Sequence, residues 1–153
     1  MIEKLDTTDR RILRELQNDA SLSLDALSER VNLSRNACWR RVKQMEDAGV
    51  IKARVALVEP ETVGLGLSTF IMVRTNEHEL DWLERFQRTV KSMPEILGAH
   101  RMSGDLDYIL RVQVADIRDY DRFYQRLIKQ IPISDISASF VMDDIKNTTA
   151  LPV

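Results

Sequence analysis

The chain has 153 residues, 44% of them hydrophobic, with 22 Lys and Arg against 24 Asp and Glu, enough to bury the core of one ordinary domain or two small ones. Its apolar runs are too short to span a membrane, its first residues lack the charged-then-apolar pattern of a signal peptide, and its single cysteine, Cys38, excludes an intrachain disulfide, all of which fits a cytoplasmic protein. The net charge of −2 argues against a nucleic-acid partner only until it is divided: residues 1–54 carry 11 basic and 9 acidic side chains (+2), residues 55–153 carry 11 and 15 (−4), so the positive excess lies in the N-terminal third.

Asp6 with Asp9 three residues on is a helix-start signal of the capping-box kind, and Ile12, Leu13 and Leu16 add an apolar stripe, which predicts a first helix over about 7–18. Asn18-Asp19-Ala20-Ser21 is turn-like, after which Ser23 caps a short helix whose inward side is Leu24, Leu27 and Val31. Asn32 tolerates a left-handed turn, Leu33 plugs the core, and Ser34 starts a third helix that Gly49 can end. In this third stretch Cys38, Val42 and Met45 recur at i, i+4, i+7 and line one face, while Arg35, Asn36, Trp39, Arg40 and Lys43 fall largely on the others. Between Ser34 and Met45 stand Arg35, Arg40, Arg41 and Lys43 and no acid, which suits a polyanion. Three short helices with a tight turn between the second and third make a helix-turn-helix, with the third as the recognition helix.

Val50 to Val58 is rich in β-branched residues and alternates weakly, which predicts a wing strand or hairpin, and Glu59-Pro60-Glu61 marks a boundary. The expected division is a DNA-binding domain over 1–50, a wing and linker over 51–63 and a second domain over 64–153. There Leu65 to Thr75 reads as a strand, with Leu67, Thr69, Ile71 and Val73 on one face and Phe70 and Met72 on the other. Leu80, Leu83, Phe86, Val90 and Met93 follow helical spacing up to Pro94. Ile96 to Ser103 is a second strand, Gly104-Asp105-Leu106-Asp107 a turn, and Tyr108 to Val114 a third strand. A helix follows with Tyr120, Phe123, Tyr124, Leu127, Ile128 and Ile131 on its apolar side, and Ile136, Ala138, Phe140 and Met142 alternate along a fourth strand. The order βαββαβ is a split-βαβ, ferredoxin-like sandwich, so the whole chain is of the α+β class.

That sandwich keeps both helices on one side of the sheet, yet both faces of the first strand are apolar. The open face therefore packs against a second copy, making a homodimer the expectation. A dimer also suits a reader of duplex DNA, because two recognition helices ~34 Å apart enter successive major grooves of a pseudo-palindromic site.

The residues carry a family likeness. Leu5-Asp6 with Asp9 and Ile12-Leu13, then Leu33-Ser34 with Arg40-Arg41-Val42-Lys43, Glu46 and Gly49-Val50-Ile51, then Gly104-Asp105-Leu106-Asp107-Tyr108, taken in order, resemble the Lrp/AsnC regulators of bacteria and archaea over nearly the whole chain. The resemblance implies a winged helix-turn-helix joined to a ferredoxin-like effector domain, dimers assembling into tetramers or octamers, and an amino acid bound near contacts between dimers. The string Cys38-Trp39-Arg40-Arg41 and the ending Ile145-Lys146-Asn147-Thr148-Thr149 look closest to members that govern degradation of particular amino acids, including cysteine.

Each candidate has a bland counterpart. Ser34, Arg35, Asn36, Trp39, Arg40 and Lys43 form the expected DNA surface rather than an ordinary solvated face, with Arg35 and Asn36 at base edges and Arg40 and Lys43 on phosphates. Arg41 lies nearer the inward side, where it can pair with Glu46 or Asp47. Trp39 either packs against the second helix or stacks its edge on a sugar or thymine methyl. Cys38, a possible redox sensor, reads better as a small buried hydrophobe. By itself the Gly104 to Tyr108 segment is a hairpin loop. The resemblance makes it an effector site in which backbone N–H groups hold a carboxylate and Asp107, ahead of Asp105, takes an ammonium. His100, Met102, Ser103, Gly104 and Tyr108 stand nearby, with Ser137 and Ser139 as weaker candidates on the fourth strand. His78 and His100 are the only histidines, and no catalytic set, metal-ligand spacing or phosphate loop emerges, so neither an enzyme nor a cofactor is expected. The leading function is a sequence-specific regulator located in the cytoplasm at the nucleoid. The alternatives are a nucleoid-type organiser with little sequence preference and, behind it, a small-molecule-binding module or enzyme without DNA binding.

Overall fold

A computed structural model describes residues 5–75 and 80–153; His78 lies outside them. The chain divides into two compact units, Met1–Leu57 with Lys146–Val153, and Val58–Ile145. Among the described residues no helix is long and apolar enough to cross a membrane.

In the first unit the helices are α1 (Thr7–Asn18), α2 (Leu24–Arg30) and α3 (Arg35–Asp47). Each begins at the cap the sequence provides. Asp9 N–H donates to the Asp6 carboxylate at 2.8 Å and Asp6 N–H to that of Asp9 at 3.1 Å. Ser23 Oγ accepts from Ala26 N–H, and Ser34 Oγ from Ala37 N–H. Asn32 takes a φ of 54° between α2 and α3, and Gly49 a φ of 70° that stops α3. Ile12, Leu13, Leu27, Val31, Cys38, Val42 and Met45 make one buried cluster. The tie between the first and third helices is Arg41, whose guanidinium donates to Asp6 at 2.7 Å and to Asp9 at 2.8 Å. The expected partners of Arg41 are taken by other cations: Arg54 holds Glu46 at 3.0 Å and Lys43 holds Asp47 at 2.7 Å.

The expected wing strand does not form within the chain: residues 52–59 lie outside any helix or strand, with Val55, Leu57 and Val58 exposed. β-Branched composition reports fitness for a pleated surface, and a strand still needs a ladder partner, which none of the described residues of this chain supplies here.

The second unit opens with a single 3-10 turn over Glu61–Val63, closed by Gly64 at a φ of 79°. It continues as β1 (Leu67–Arg74), α4 (Leu80–Ser92), β2 (Ile96–Arg101), β3 (Tyr108–Val114), α5 (Ile117–Gln130) and β4 (Asp135–Phe140). The sheet order is β2-β3-β1-β4, antiparallel throughout. Thr69, Ile71 and Val73 of β1 stand beside Val112, Leu110 and Tyr108 of β3, so one face carries the core into which Phe86, Phe123 and Leu127 pack. On α4 the inward aromatic is Trp82, 5% exposed, whereas Leu80 is 77% exposed. Trp82 shares the side of Phe86 and Met93, and Leu80 sits roughly 160° around the helix from it. The Trp82 indole N–H donates to Pro132 O at 2.8 Å and its ring stacks on Phe86 with centroids 5.1 Å apart. Ile128 of α5 is at the margin of exposure, and β4 ends at Phe140, leaving Met142 in solvent at 95% exposure.

The last eight residues leave this unit. The sequence assigns 64–153 to one domain, but Lys146–Val153 belongs by its contacts to the helical unit. Gln17 of α1 clasps the backbone of Leu151 from both sides, its Nε2 donating to Leu151 O at 3.1 Å and its Oε1 accepting Leu151 N–H at 2.6 Å. Val153 packs against the helical core. A solvent-exposed bond of this kind is worth ~1 kcal/mol. Gln17→Ala will therefore speed hydrogen exchange at the Leu151 amide by roughly tenfold while leaving β3 amides unchanged; equal rates in the two proteins would show that the clasp does not hold the tail.

A second expectation concerns acid. The Asp9 backbone N–H, and after it the Arg41 guanidinium, hold the Asp6 carboxyl below its usual pKa. A pKa depressed in the folded state means stability that is present above the ordinary carboxylate range and is lost as pH falls through the lowered value. Thermal unfolding followed from about pH 5 down to about pH 2 will show this loss in the helical unit, and Asp6→Asn will be less stable at neutral pH and flatter over that window.

Candidate DNA-reading surface and effector turn

α3 presents its two sides as its periodicity dictates. Cys38, Val42 and Met45 are buried, and burial pushes the Cys38 thiol pKa up, so this cysteine is a packing residue with little thiolate character. Ser34, Arg35, Asn36, Trp39, Arg40 and Lys43 are all exposed. Ser34 is committed to its cap, which points the first free N–H groups of α3 outward. Trp39 is 58% exposed rather than packed against α2.

The cations of this face are differently engaged. Arg35 meets Asp25 of α2 at 3.4 Å and Lys43 meets Asp47 one turn along at 2.7 Å, the latter raising the Lys43 pKa. All four side chains are more than half exposed, and exposed pairs of this kind are worth ~0–1 kcal/mol. A phosphate can therefore displace either carboxylate. Arg40 has no carboxylate partner among the described residues. Arg10, Arg11 and Arg14 are further cations exposed on α1 and likewise without a carboxylate partner there, signalled in the sequence only by a bare run at i, i+1, i+4.

The effector candidates do not form one cluster. Met102, Ser103, Gly104 and Asp105 are exposed on the turn between β2 and β3, with Gly104 at a φ of 109° that disfavours any side chain. Asp107 anchors that turn to the neighbouring strand: its carboxylate accepts Thr75 N–H at 2.8 Å, its N–H donates to Val73 O, and its carbonyl accepts Met102 N–H. Two residues the sequence reading missed complete the corner. Arg74 Nε donates to Asp105 O at 2.9 Å while its Nη1 pairs with Asp135 at 2.8 Å, and only the strand pairing brings these segments together.

Strand parity settles the rest. Tyr108 pairs with Val73 on the helix-covered side, where its ring lies 4.4 Å from that of Phe86, so it belongs to the core and not to the turn's surface. His100, Ile109, Met72 and Ser137 run in one cross-strand row on the open face, with Ser139 beside Phe70. His100 and Ser137 stand on opposite edge strands, three inter-strand steps or about 14 Å apart, too far to line one small pocket within a chain. Among the described residues no group of His, Cys, Asp and Glu could hold a metal ion.

Two family models match the chain: a winged helix-turn-helix DNA-binding domain over residues 5–52 and the Lrp/AsnC ligand binding domain over residues 68–151. The DNA-binding transcriptional activator DecR of Escherichia coli is 49% identical over 150 residues, 97% of this chain and 99% of the relative. Among solved structures, an AsnC family transcriptional regulator from Agrobacterium tumefaciens has a TM-score of 0.94 at 48% identity, covering 97% of each chain. A Neisseria meningitidis transcriptional regulator, solved as a complex with L-Met, has a TM-score of 0.93 at 40% identity, again over 97% of each chain.

Proposed function

The chain belongs to the Lrp/AsnC family of transcriptional regulators, and from that membership we propose that it reads a specific pseudo-palindromic DNA site through α3 and responds to an amino acid at the turn between β2 and β3. The observation that carries the DNA half is the outward face of α3, capped at Ser34, free of acids in its first turn and solvent-exposed at every position from which a base or phosphate can be reached. Asn36 and Arg35, in the first turn, contact base edges; Arg40 and Lys43 anchor phosphates; Trp39 lays its exposed ring on the sugar or thymine-methyl surface. Residues 1–50, with the Lys146–Val153 tail that packs with them, are the reading domain, residues 51–63 an extended linker, and residues 64–145 the effector and assembly domain. Two copies associate through the open sheet face, where Phe70 and Leu97 are exposed, and dimers assemble further. The protein acts in the cytoplasm, on the nucleoid, and is not an enzyme.

For the effector, the exposed N–H groups of the Ser103 to Asp105 turn receive the carboxylate of an amino acid, and Asp107, fixed by Thr75 N–H, takes its ammonium. The L-Met complex of the Neisseria relative supports an amino acid as the ligand class. His100 and Ser137, on opposite edges of the open face, contribute only where a second copy brings its own edge to the turn.

Two measurements test this reading. A duplex selected from a random library will bind more tightly than competitor DNA at the same salt, and Arg35→Ala or Asn36→Ala will lower that preference by about 1–3 kcal/mol at one base position. Equal affinity for selected and competitor DNA would instead indicate an architectural DNA organiser. A thermal-shift screen over the twenty amino acids will pick out one or a few ligands, each adding about 2.7 kcal/mol of stability at a hundred times its dissociation constant. Asp107→Asn will abolish the shift, and no shift with any of the twenty would sink the effector reading while leaving DNA binding standing.

A further inference from the structure

The second unit is acidic, with 10 Lys and Arg against 15 Asp and Glu over residues 58–145, a balance of −5. Several of its cations are neutralised locally: Arg74 by Asp135, Arg122 by Asp119, and Arg126 by Glu95. Against this background one open cleft on the helix layer is lined by Arg85, Arg88, Thr89, Ser92, Lys129 and Gln130, with no acid among them and a volume of about 550 Å³. The three cations have no carboxylate partner among the described residues; the one polar contact among them is a long 3.4 Å bond from Arg88 Nε to the Glu84 carbonyl. Arg85, Arg88 and Ser92 recur at i, i+3, i+7 on α4, and Lys129 and Gln130 are at the C-terminal end of α5. The floor is Thr89, 6% exposed, whose carbonyl accepts from Ser92 Oγ at 2.8 Å.

Three cations without carboxylate partners, lining one cleft whose walls carry no acid, form a site for oxyanions. The cleft lies open to solvent and its cations stand on exposed surface, whereas small-ligand sites enclose some 70–90% of what they bind. An extended polyanion fits it better than an enclosed metabolite. The segment from Arg85 to Ser92 covers ~10 Å of helix axis, against one phosphate charge per ~1.7 Å of duplex, so each cation finds a phosphate without any demand on sequence. We propose that the Arg85, Arg88 and Lys129 cleft of the effector domain binds the phosphodiester backbone of duplex DNA flanking the segment read by α3. This rests on the DNA-reading function proposed above and adds a second, sequence-independent contact to it.

The test uses the full chain and a duplex selected from a random library, in a short form trimmed to the protected region and a long form carrying flanks of arbitrary sequence. Wild-type protein will bind the long form more tightly and with a steeper salt dependence. The triple variant R85A/R88A/K129A will keep its affinity for the short form and lose the gain on the long one, with the slope of log K against log salt falling by about 2–3 at ~0.9 per phosphate contact. The charge-conserving R85K/R88K/K129R will retain the gain. Unchanged long-duplex binding in the triple variant would overturn the proposal, as would equal losses on both duplexes, which would place these cations in folding or assembly. Saturable binding of inorganic phosphate without DNA, lost in the triple variant while long-duplex affinity stays, would reassign the cleft to a free phosphorylated ligand. Failure of wild type to bind even the short form would sink the DNA-reading function itself and this inference with it.

Discussion

The first unit hangs on Arg41. Its guanidinium reaches from α3 to Asp6 and Asp9, the two carboxylates that already cap α1, so a single cation ties the start of one helix to the middle of another. The pair is only partly screened by solvent, with the Arg41 side chain 32% exposed and that of Asp9 16%. Its consequence is directional. α3 carries four cations in thirteen residues, and withdrawing Arg41 to the inner side fixes the rotation of the helix, leaving Arg35, Asn36, Arg40 and Lys43 outward. The hydrophobic cluster around Cys38 and Val42 supplies the packing, but an apolar seam tolerates small rotations that one guanidinium nitrogen, Nη1, shared between two carboxylates does not.

The second unit shows the corresponding constraint in a sheet. Alternation along β1 and β3 sends Ile71, Val73, Leu110 and Val112 to the helix side and Phe70, Met72 and Ile109 to the other, and no residue can move between faces without slipping the whole register. Tyr108 is therefore a core residue in spite of its neighbours in the turn. The same parity puts His100 and Ser137 on one open surface yet on opposite edge strands, too far apart to line one small pocket within a chain.

Much of this was legible in the sequence because it rests on local signals. The caps at Asp6, Ser23 and Ser34, the left-handed positions Asn32 and Gly49, and strand β3 in full follow from neighbours within a few residues. The failures share a physical origin in contacts made at long range. Leu80 opens an apolar stripe that local spacing turns inward, but the helix is rotated to bury the larger Trp82, whose indole finds a carbonyl fifty residues away. Residues 50–58 have strand composition but no ladder partner among the described residues, and composition does not report a partner. Arg41 was assigned to carboxylates on its own helix, where local spacing allows a pair, whereas the fold offered two at once from α1. Of the candidate site, the outward set on α3 was readable from period alone; the corner of Arg74, Asp105, Asp107 and Asp135 was not, because three strands must pair before those residues meet.

The clasp of Gln17 on Leu151 joins residues 134 positions apart, so the helical unit is assembled from an early segment and a late one. On a ribosome, the three helices emerge early and can collapse at once, but their last contacts wait until the sandwich has been made. A nascent chain therefore carries a reading head with its α1 surface still uncovered throughout synthesis of the effector domain.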